Sequence, residues 1–178
     1  MTKAAAPYLL GIDIGTTNLK AILFDHTGQL IATSSRPTRS YHPDENHPDW
    51  TVYSPLTLWE DTIANIQTIT SKIPDPENIM SLAIASMGEP IIPVDRKGNW
   101  LYPAICWFDQ RTEPQARWWR QQLGARRIYD ITGQPVSFFM SLNSMLWIRQ
   151  HEPKIFQQTY KWLVVADYIT YKLTGTFV

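Results

Sequence analysis

The order of apolar and polar positions divides the chain into short elements. Tyr8–Ile14 alternates with period two, setting Leu10, Ile12 and Ile14 on one face and Leu9, Gly11 and Asp13 on the other, which predicts a strand. Gly15-Thr16-Thr17-Asn18 reads as a turn and Leu19–Phe24 as the returning strand. Asp25-His26-Thr27-Gly28 then turns into a third strand over Gln29–Ser34. A polar, proline-bearing loop follows, from about Arg36 to Tyr53. Ser54-Pro55 supplies a helix start, and Leu56, Trp59, Ile63, Ile66 and Ile69 recur at helical spacing, predicting a helix that buries this face with Trp59 in the core. Ile79–Ala85 is short and apolar at nearly every position, the pattern of a central strand buried on both faces. Ile91–Val94, a Lys97-Gly98-Asn99 turn and Leu101–Trp107 predict another hairpin. From Thr112 onward the pattern is mostly helical, with Gly124, Gly133 and Gly175 where C-caps fall. The expected class is α/β with a mixed sheet.

No internal repeat, low-complexity tract or glycine–serine linker interrupts the chain, so residues 1–178 are expected to form one continuous domain. Thr176-Phe177-Val178 reads as the start of a further strand, and the chain is expected to be a fragment of a longer protein.

Composition narrows the function. The 178 residues are 44% apolar, enough for one core of ordinary size. Sixteen basic residues balance sixteen acidic ones, so neither a nucleic-acid footprint nor a polybasic membrane patch is present. Cys106 is the only cysteine, which rules out a disulfide framework, and its apolar surroundings suit a small core residue. No apolar run approaches the roughly 18 residues of a membrane span, and Asp13 breaks the first apolar stretch in a way a signal peptide does not. A soluble, cytoplasmic domain is expected. Eight tryptophans are many for this length; they suit both a core and a carbohydrate site, where a flat ring stacks on a sugar's C–H face.

The densest chemistry lies in Gly11-Ile-Asp-Ile-Gly-Thr-Thr-Asn-Leu-Lys20. A tight turn on Gly15, with Thr16, Thr17 and Asn18, would aim backbone N–H groups and hydroxyls in one direction, a nest for anionic oxygens. Asp13 beside it suits a hydrated magnesium ion, and Lys20 could reach a phosphate. Neither a Walker loop nor a Gly-x-Gly-x-x-Gly pattern is present. The same residues equally suit a plain hairpin turn, and spacing alone leaves both readings open.

Tyr8-Leu-Leu-Gly-Ile-Asp-Ile-Gly-Thr-Thr-Asn-Leu-Lys-Ala-Ile-Leu-Phe-Asp25 resembles the first phosphate motif of the actin/hexokinase-like ATPases. The rest of the chain resembles one branch of these, the FGGY carbohydrate kinases, which include glycerol kinase, xylulokinase and gluconokinase. The supporting segments are Pro48–Trp59, Leu82–Glu89, Tyr102–Thr112, Met145–Pro153 and Asp167–Gly175, so the resemblance runs nearly end to end. It implies an RNase H-like α/β fold and most of the family's N-terminal domain, with the C-terminal ATPase domain absent from this chain. It also implies ATP- and Mg²⁺-dependent phosphorylation of a sugar or polyol hydroxyl.

Carried residue by residue, the resemblance assigns Asp13 to Mg²⁺ through water and Gly15, Thr16, Thr17, Asn18 and Lys20 to the ATP phosphates. Gly88, Glu89, Trp107, Asp109 and Phe139 fall at acceptor-site positions. Glu89 matches the acidic residue that glycerol kinase sets on its polyol, whereas Gly88 replaces that enzyme's arginine; xylulokinases carry a Met-His pair at these two positions. Phe139 aligns with a glycerol kinase tyrosine, and Ser144 stands where the family has a lysine, ahead of Trp147. These departures argue for an acceptor other than glycerol or xylulose. The family's catalytic aspartate, its general base, is expected beyond Val178, so no catalytic residue is assigned here and the chain alone is expected to be inactive. No nucleic-acid or membrane partner is implied, and monomer and homodimer both stay open. The rival readings are a phosphohydrolase of the same ATPase superfamily and a non-catalytic sugar sensor or scaffold.

Several groups invite blander readings. His42, Asp44, His47 and Asp49 lack the spacing of a zinc site. His151 suits the C-terminus of a helix. Trp118 and Trp119 cannot both face inward from one helix, so at least one is expected to be exposed.

Overall fold

The computed structural model describes residues 7–177. They divide into two compact units, each assembled from separated stretches of chain. The first comprises the chain up to Arg39, Leu56–Met87 and the residues from Val165; the second comprises Ser40–Pro55 and Gly88–Val164.

The first unit is built on a four-stranded mixed sheet in the order β3 (Leu30–Pro37), β2 (Asn18–Asp25), β1 (Tyr8–Ile14) and β6 (Ile79–Ser86). The first three strands form an antiparallel meander, and β6 runs parallel to β1. Period-two alternation fixes the register, because it drives Leu10, Ile12 and Ile14 of β1 and Leu19, Ala21 and Leu23 of β2 into the core. The β2–β3 turn is closed by the Asp25 carboxylate, which accepts from the N–H groups of Thr27 and Gln29 and from the Thr27 hydroxyl. These donors hold the Asp25 carboxyl below the usual carboxylate range.

Helix α1 (Pro55–Thr70) forms where its start signal predicts, but it buries a different face. Leu58, Thr62, Asn65 and Ile69 turn inward, while Leu56 is exposed and Trp59 is only half-buried, with the Lys172 ammonium 5.2 Å from its ring. Two polar residues sit in this core because both are hydrogen-bonded. Thr62 Oγ1 donates to the Leu58 carbonyl; Asn65 Nδ2 donates to the Leu19 carbonyl, and Asn65 Oδ1 accepts from Ser34 Oγ at 2.6 Å. Asn65 thereby ties α1 to β2 and β3. Reading only apolar side chains, the sequence pattern passes over such a face.

The apolar run at β6 does form a strand, but not a central one. Among the described residues β6 is the edge of the sheet, and Met80 (70% exposed) and Leu82 face solvent. Helix α6 (Val165–Thr174) packs beside it, and the α6 N-terminal turn is tied to it by Ala166 N–H donating to Ser86 Oγ. An apolar run reports what a strand is able to bury, not what covers it.

The second unit holds a three-stranded sheet, β4 (Ser40–Tyr41), β5 (Val52–Tyr53) and β8 (Ala104–Ile105), and a two-stranded one, β7 (Ile91–Val94) with β9 (Lys161–Val164). Around them lie α2 (Glu113–Leu123), α3 (Ala125–Thr132), α4 (Ser141–His151) and α5 (Pro153–Gln158). The expected 91–107 hairpin forms only at its tip, where Leu101 N–H reaches the Pro93 carbonyl. The chain then leaves past Pro103, and Ala104–Ile105 pairs with β5 instead. Strand β9 lies within a stretch expected to be helical; its Trp-Leu-Val run pairs antiparallel with β7. The glycine caps hold: Gly133 adopts φ 71° and its N–H closes onto the Tyr129 carbonyl.

Replacing Asn65 with Ala strands the Leu19 carbonyl and the Ser34 hydroxyl of the interior. The expected loss is about 2–3 kcal/mol, read as a lower urea midpoint at unchanged slope.

Candidate active site

The glycine–threonine turn between β1 and β2 is a shaped loop. Gly15 N–H donates to the Asn18 carbonyl at 3.0 Å, and a Cβ at Gly15 would lie 3.1 Å from that same oxygen, so a larger residue would push that carbonyl back by a few tenths of an ångström. Thr38, which sequence reasoning missed, staples the loop from the end of β3. Its N–H donates to the Thr17 carbonyl at 2.9 Å and its Oγ1 to the Gly15 carbonyl at 2.7 Å. The loop carbonyls are thus tied back, while the side chains of Thr16 and Thr17 are exposed. Asp13 and Lys20 are register partners across β1 and β2 and share the face opposite the core. Thr16, Thr17, Asp13 and Lys20 are all exposed, so their polar groups are open to a ligand from solvent. A hydrated Mg²⁺ fits Asp13 in that its carboxylate is exposed and takes no hydrogen bond or ion pair among the described residues, leaving both oxygens for metal-bound water. No group of three or more His, Cys, Asp or Glu side chains forms a direct metal cage among the described residues.

In the second unit, hydrogen bonds tie Glu89 to the segment that carries Phe139. Glu89, just ahead of β7, reaches the first turn of α4, where its Oε2 accepts from both the N–H and the Oγ of Ser141, each at 2.7 Å. Ser141 closes the 137–141 segment that carries Phe139. The other end of that segment is held by Thr112 Oγ1, which donates to the Phe138 carbonyl at 2.7 Å, and by Asn143 Nδ2, which donates to the Ser137 carbonyl. Phe139 and Phe138 pack edge to face, and Phe139 stays 38% exposed. Thr112 itself ends the short turn that begins at Asp109. Trp107, two residues earlier, packs edge to face on Phe108 with its ring nearly half exposed. Exposed aromatic faces beside an oriented carboxylate are the ingredients of a polyhydroxylated-ligand site. A Cβ at Gly88 would meet nothing within 4 Å, and its φ is not in the left-handed region, so glycine there leaves room rather than serving the backbone.

Asp109 sits differently. It is fully buried, and its two oxygens accept from Thr51 N–H, Arg111 N–H and the Arg111 guanidinium, at distances from 2.6 to 3.0 Å. Arg111 lies over Trp50 (4.2 Å) and Trp147 (5.3 Å), and Tyr102 approaches its Nη1. These bonds make Asp109 a support for the turn that follows Trp107. The Trp-x-Asp-x-Arg spacing carries the signal, because Asp two residues before an N–H is the arrangement of an Asx turn.

The remaining residues have local roles. Cys106 is buried against Tyr53, and burial pushes its thiol up to about 12, far from a nucleophile's range. His42 Nδ1 lies 2.8 Å from the Trp50 carbonyl, His47 stacks on Trp50, and Asp44 closes a turn at Asn46. His151 stacks on Trp147 at the end of α4. Ser144 is buried in α4, and Trp118 is exposed while Trp119 is partly covered.

The mixed sheet and its glycine–threonine hairpin share the fold of the N-terminal domain of FGGY kinases. The family model for the FGGY family of carbohydrate kinases, N-terminal domain, matches residues 8–178, and the chain belongs to that family. It is 27% identical to the xylulose kinase of Staphylococcus xylosus over 94% of this chain and 34% of that protein. Identity to the gluconokinase of Bacillus subtilis is 29%, over 96% of this chain and 33% of that one. Among solved structures, the gluconate kinase from Lactobacillus acidophilus superposes with a TM-score of 0.87 at 24% identity, covering 97% of this chain and 34% of its own. The chain therefore spans about a third of the length of these relatives. No helix among the described residues is long and apolar enough to cross a membrane.

Two expectations follow. Gly15→Ala should cost about 1 kcal/mol by forcing the Asn18 carbonyl away, whereas Gly88→Ala should stay within about 0.5 kcal/mol of the parent; urea unfolding of both measures the contrast. Asp109→Ala leaves Arg111 buried without its counter-charge and should destabilise the protein by about 3–5 kcal/mol. Unchanged stability with weakened sugar binding would instead make Asp109 a ligand-binding group.

Proposed function

We propose that this chain is part of an ATP-dependent kinase that transfers a phosphoryl group to a hydroxyl of a sugar or polyol, working in the cytoplasm. The observation that carries the reading is Glu89. Its carboxylate is fixed through Oε2, and its other oxygen takes no protein donor among the described residues, on the same hydrogen-bonded segment that presents Phe139. A carboxylate oxygen accepts from ligand hydroxyls, and an exposed ring packs on the C–H face.

In this reading Gly88, Glu89, Trp107 and Phe139 bind and orient the acceptor, and Asp109 supports Trp107 from beneath. Gly15, Thr16, Thr17, Asn18 and Lys20 hold the phosphates. Mg²⁺, held through water by Asp13, would neutralise charge on the phosphate oxygens. Phe139 in place of a tyrosine removes a hydroxyl, and Gly88 in place of an arginine opens space. The acceptor is accordingly one other than glycerol or xylulose.

The protein encoded by the complete reading frame, tested against a panel of sugars, sugar acids and polyols, should release ADP in proportion to one acceptor. ADP or phosphate release independent of any acceptor would point to a phosphohydrolase. Tight binding of a sugar without turnover would point to a sensor. The 178 residues alone should give no turnover. With the best acceptor, Glu89→Ala should cost about 2–3 kcal/mol of acceptor binding, a KM raised roughly 30- to 150-fold with the ATP KM unchanged.

A further inference from the structure

We propose that Ser141 is a positioning residue for Glu89, and that Glu89 addresses its ligand through Oε1 alone; the inference rests on the acceptor reading above. Three observations meet at this contact. Ser141 is the first residue of α4, an eleven-residue helix, so its N–H is one of the helix's unsatisfied donors and lies at the positive end of the dipole. Glu89 Oε2 takes that N–H and the Ser141 hydroxyl together, both at 2.7 Å. The hydroxyl also lies 3.0 Å from the Glu89 carbonyl, but it carries one proton, and the shorter, charge-assisted partner takes it.

Two donors already converge on Oε2, which has two lone pairs to offer. Oε1, with no protein donor among the described residues, keeps its own for a ligand. A glutamate free to rotate about three bonds would have to be ordered when the ligand arrives. Here Ser141 orders it beforehand, which favours binding without touching the ligand. The support is separable from folding, because the 137–141 segment is pinned independently by Thr112 and Asn143. Removing the Ser141 hydroxyl releases Glu89 on one side and leaves the backbone N–H, the segment and the helix in place.

The test is a double-mutant cycle in the protein encoded by the complete reading frame, assayed with its best acceptor. Ser141→Ala should raise the acceptor KM about 5- to 20-fold, with kcat and the ATP KM within about two-fold of the parent. Ser141→Thr, which keeps the hydroxyl, should restore the KM to within about three-fold. Glu89→Gln should raise the KM further, and adding Ser141→Ala to it should change little. An unchanged KM in Ser141→Ala while Glu89→Gln raises it would overturn the positioning role. So would full additivity of the two changes, or a parallel rise in the ATP KM. An unchanged KM in Glu89→Gln would remove Glu89 from the acceptor site altogether, and the acceptor reading would fail with it. Should Ser141→Ala fail to fold, Ser141→Cys gives the same KM readout at nearly native volume.

Discussion

Much of the second unit is organised around one buried ion pair. Asp109 and Arg111 are only two residues apart, and taking both charges out of water is costly unless every lone pair and proton finds a partner. Here they do. Asp109 reaches across to Thr51 N–H, while Cys106 N–H donates to the Thr51 carbonyl and Asp109 N–H to the Cys106 carbonyl. The guanidinium is roofed by the rings of Trp50 and Trp147, which in turn pack against Ile105, Ile148 and Tyr102. The pair therefore joins the 50–53 segment, the 104–112 segment and α4 at one point. On either side it leaves Trp107 facing outward and Thr112 reaching the Phe138 carbonyl. The dense use of tryptophan in this chain is partly explained by this arrangement: two of the eight serve as a lid for an arginine.

The first unit has a different logic. Its loop is shaped by backbone economy, through a glycine set tightly against the Asn18 carbonyl, and by one threonine that holds two loop carbonyls. The side chains that would meet phosphate are left in water. One unit thus prepares a surface by restraining its main chain, and the other by neutralising a charge beneath it.

What could be read from the sequence was whatever depends on neighbours along the chain. The meander appears where alternation places it, and Gly133 caps the helix it was expected to cap. What was hidden depends on distant partners. Asn65 sits on the inward face of α1 because Leu19 and Ser34, more than thirty residues earlier, meet its amide. Lys161–Val164 is a strand because Ile91–Val94 offers an edge, a pairing invisible in a stretch flanked by helices. The run at β6 was apolar enough for a central strand, yet what lies beside it decides its burial. At the candidate site the same division holds. The Gly15–Asn18 turn and the Trp-x-Asp-x-Arg motif are contiguous and were legible as local structure, whereas Ser141 and Thr38 act on partners 52 and 23 residues away.

The open space at Gly88 has an evolutionary consequence. Most positions that touch a ligand are also held by the fold, so altering specificity there erodes the narrow margin of stability that natural proteins keep. Residue 88 adjoins the carboxylate of Glu89, yet neither its backbone conformation nor any neighbouring atom demands glycine. If Glu89 holds the acceptor as proposed, a side chain introduced there would project beside it without displacing protein. Such a position is a route by which a lineage of kinases can explore new acceptors while the scaffold underneath stays the same.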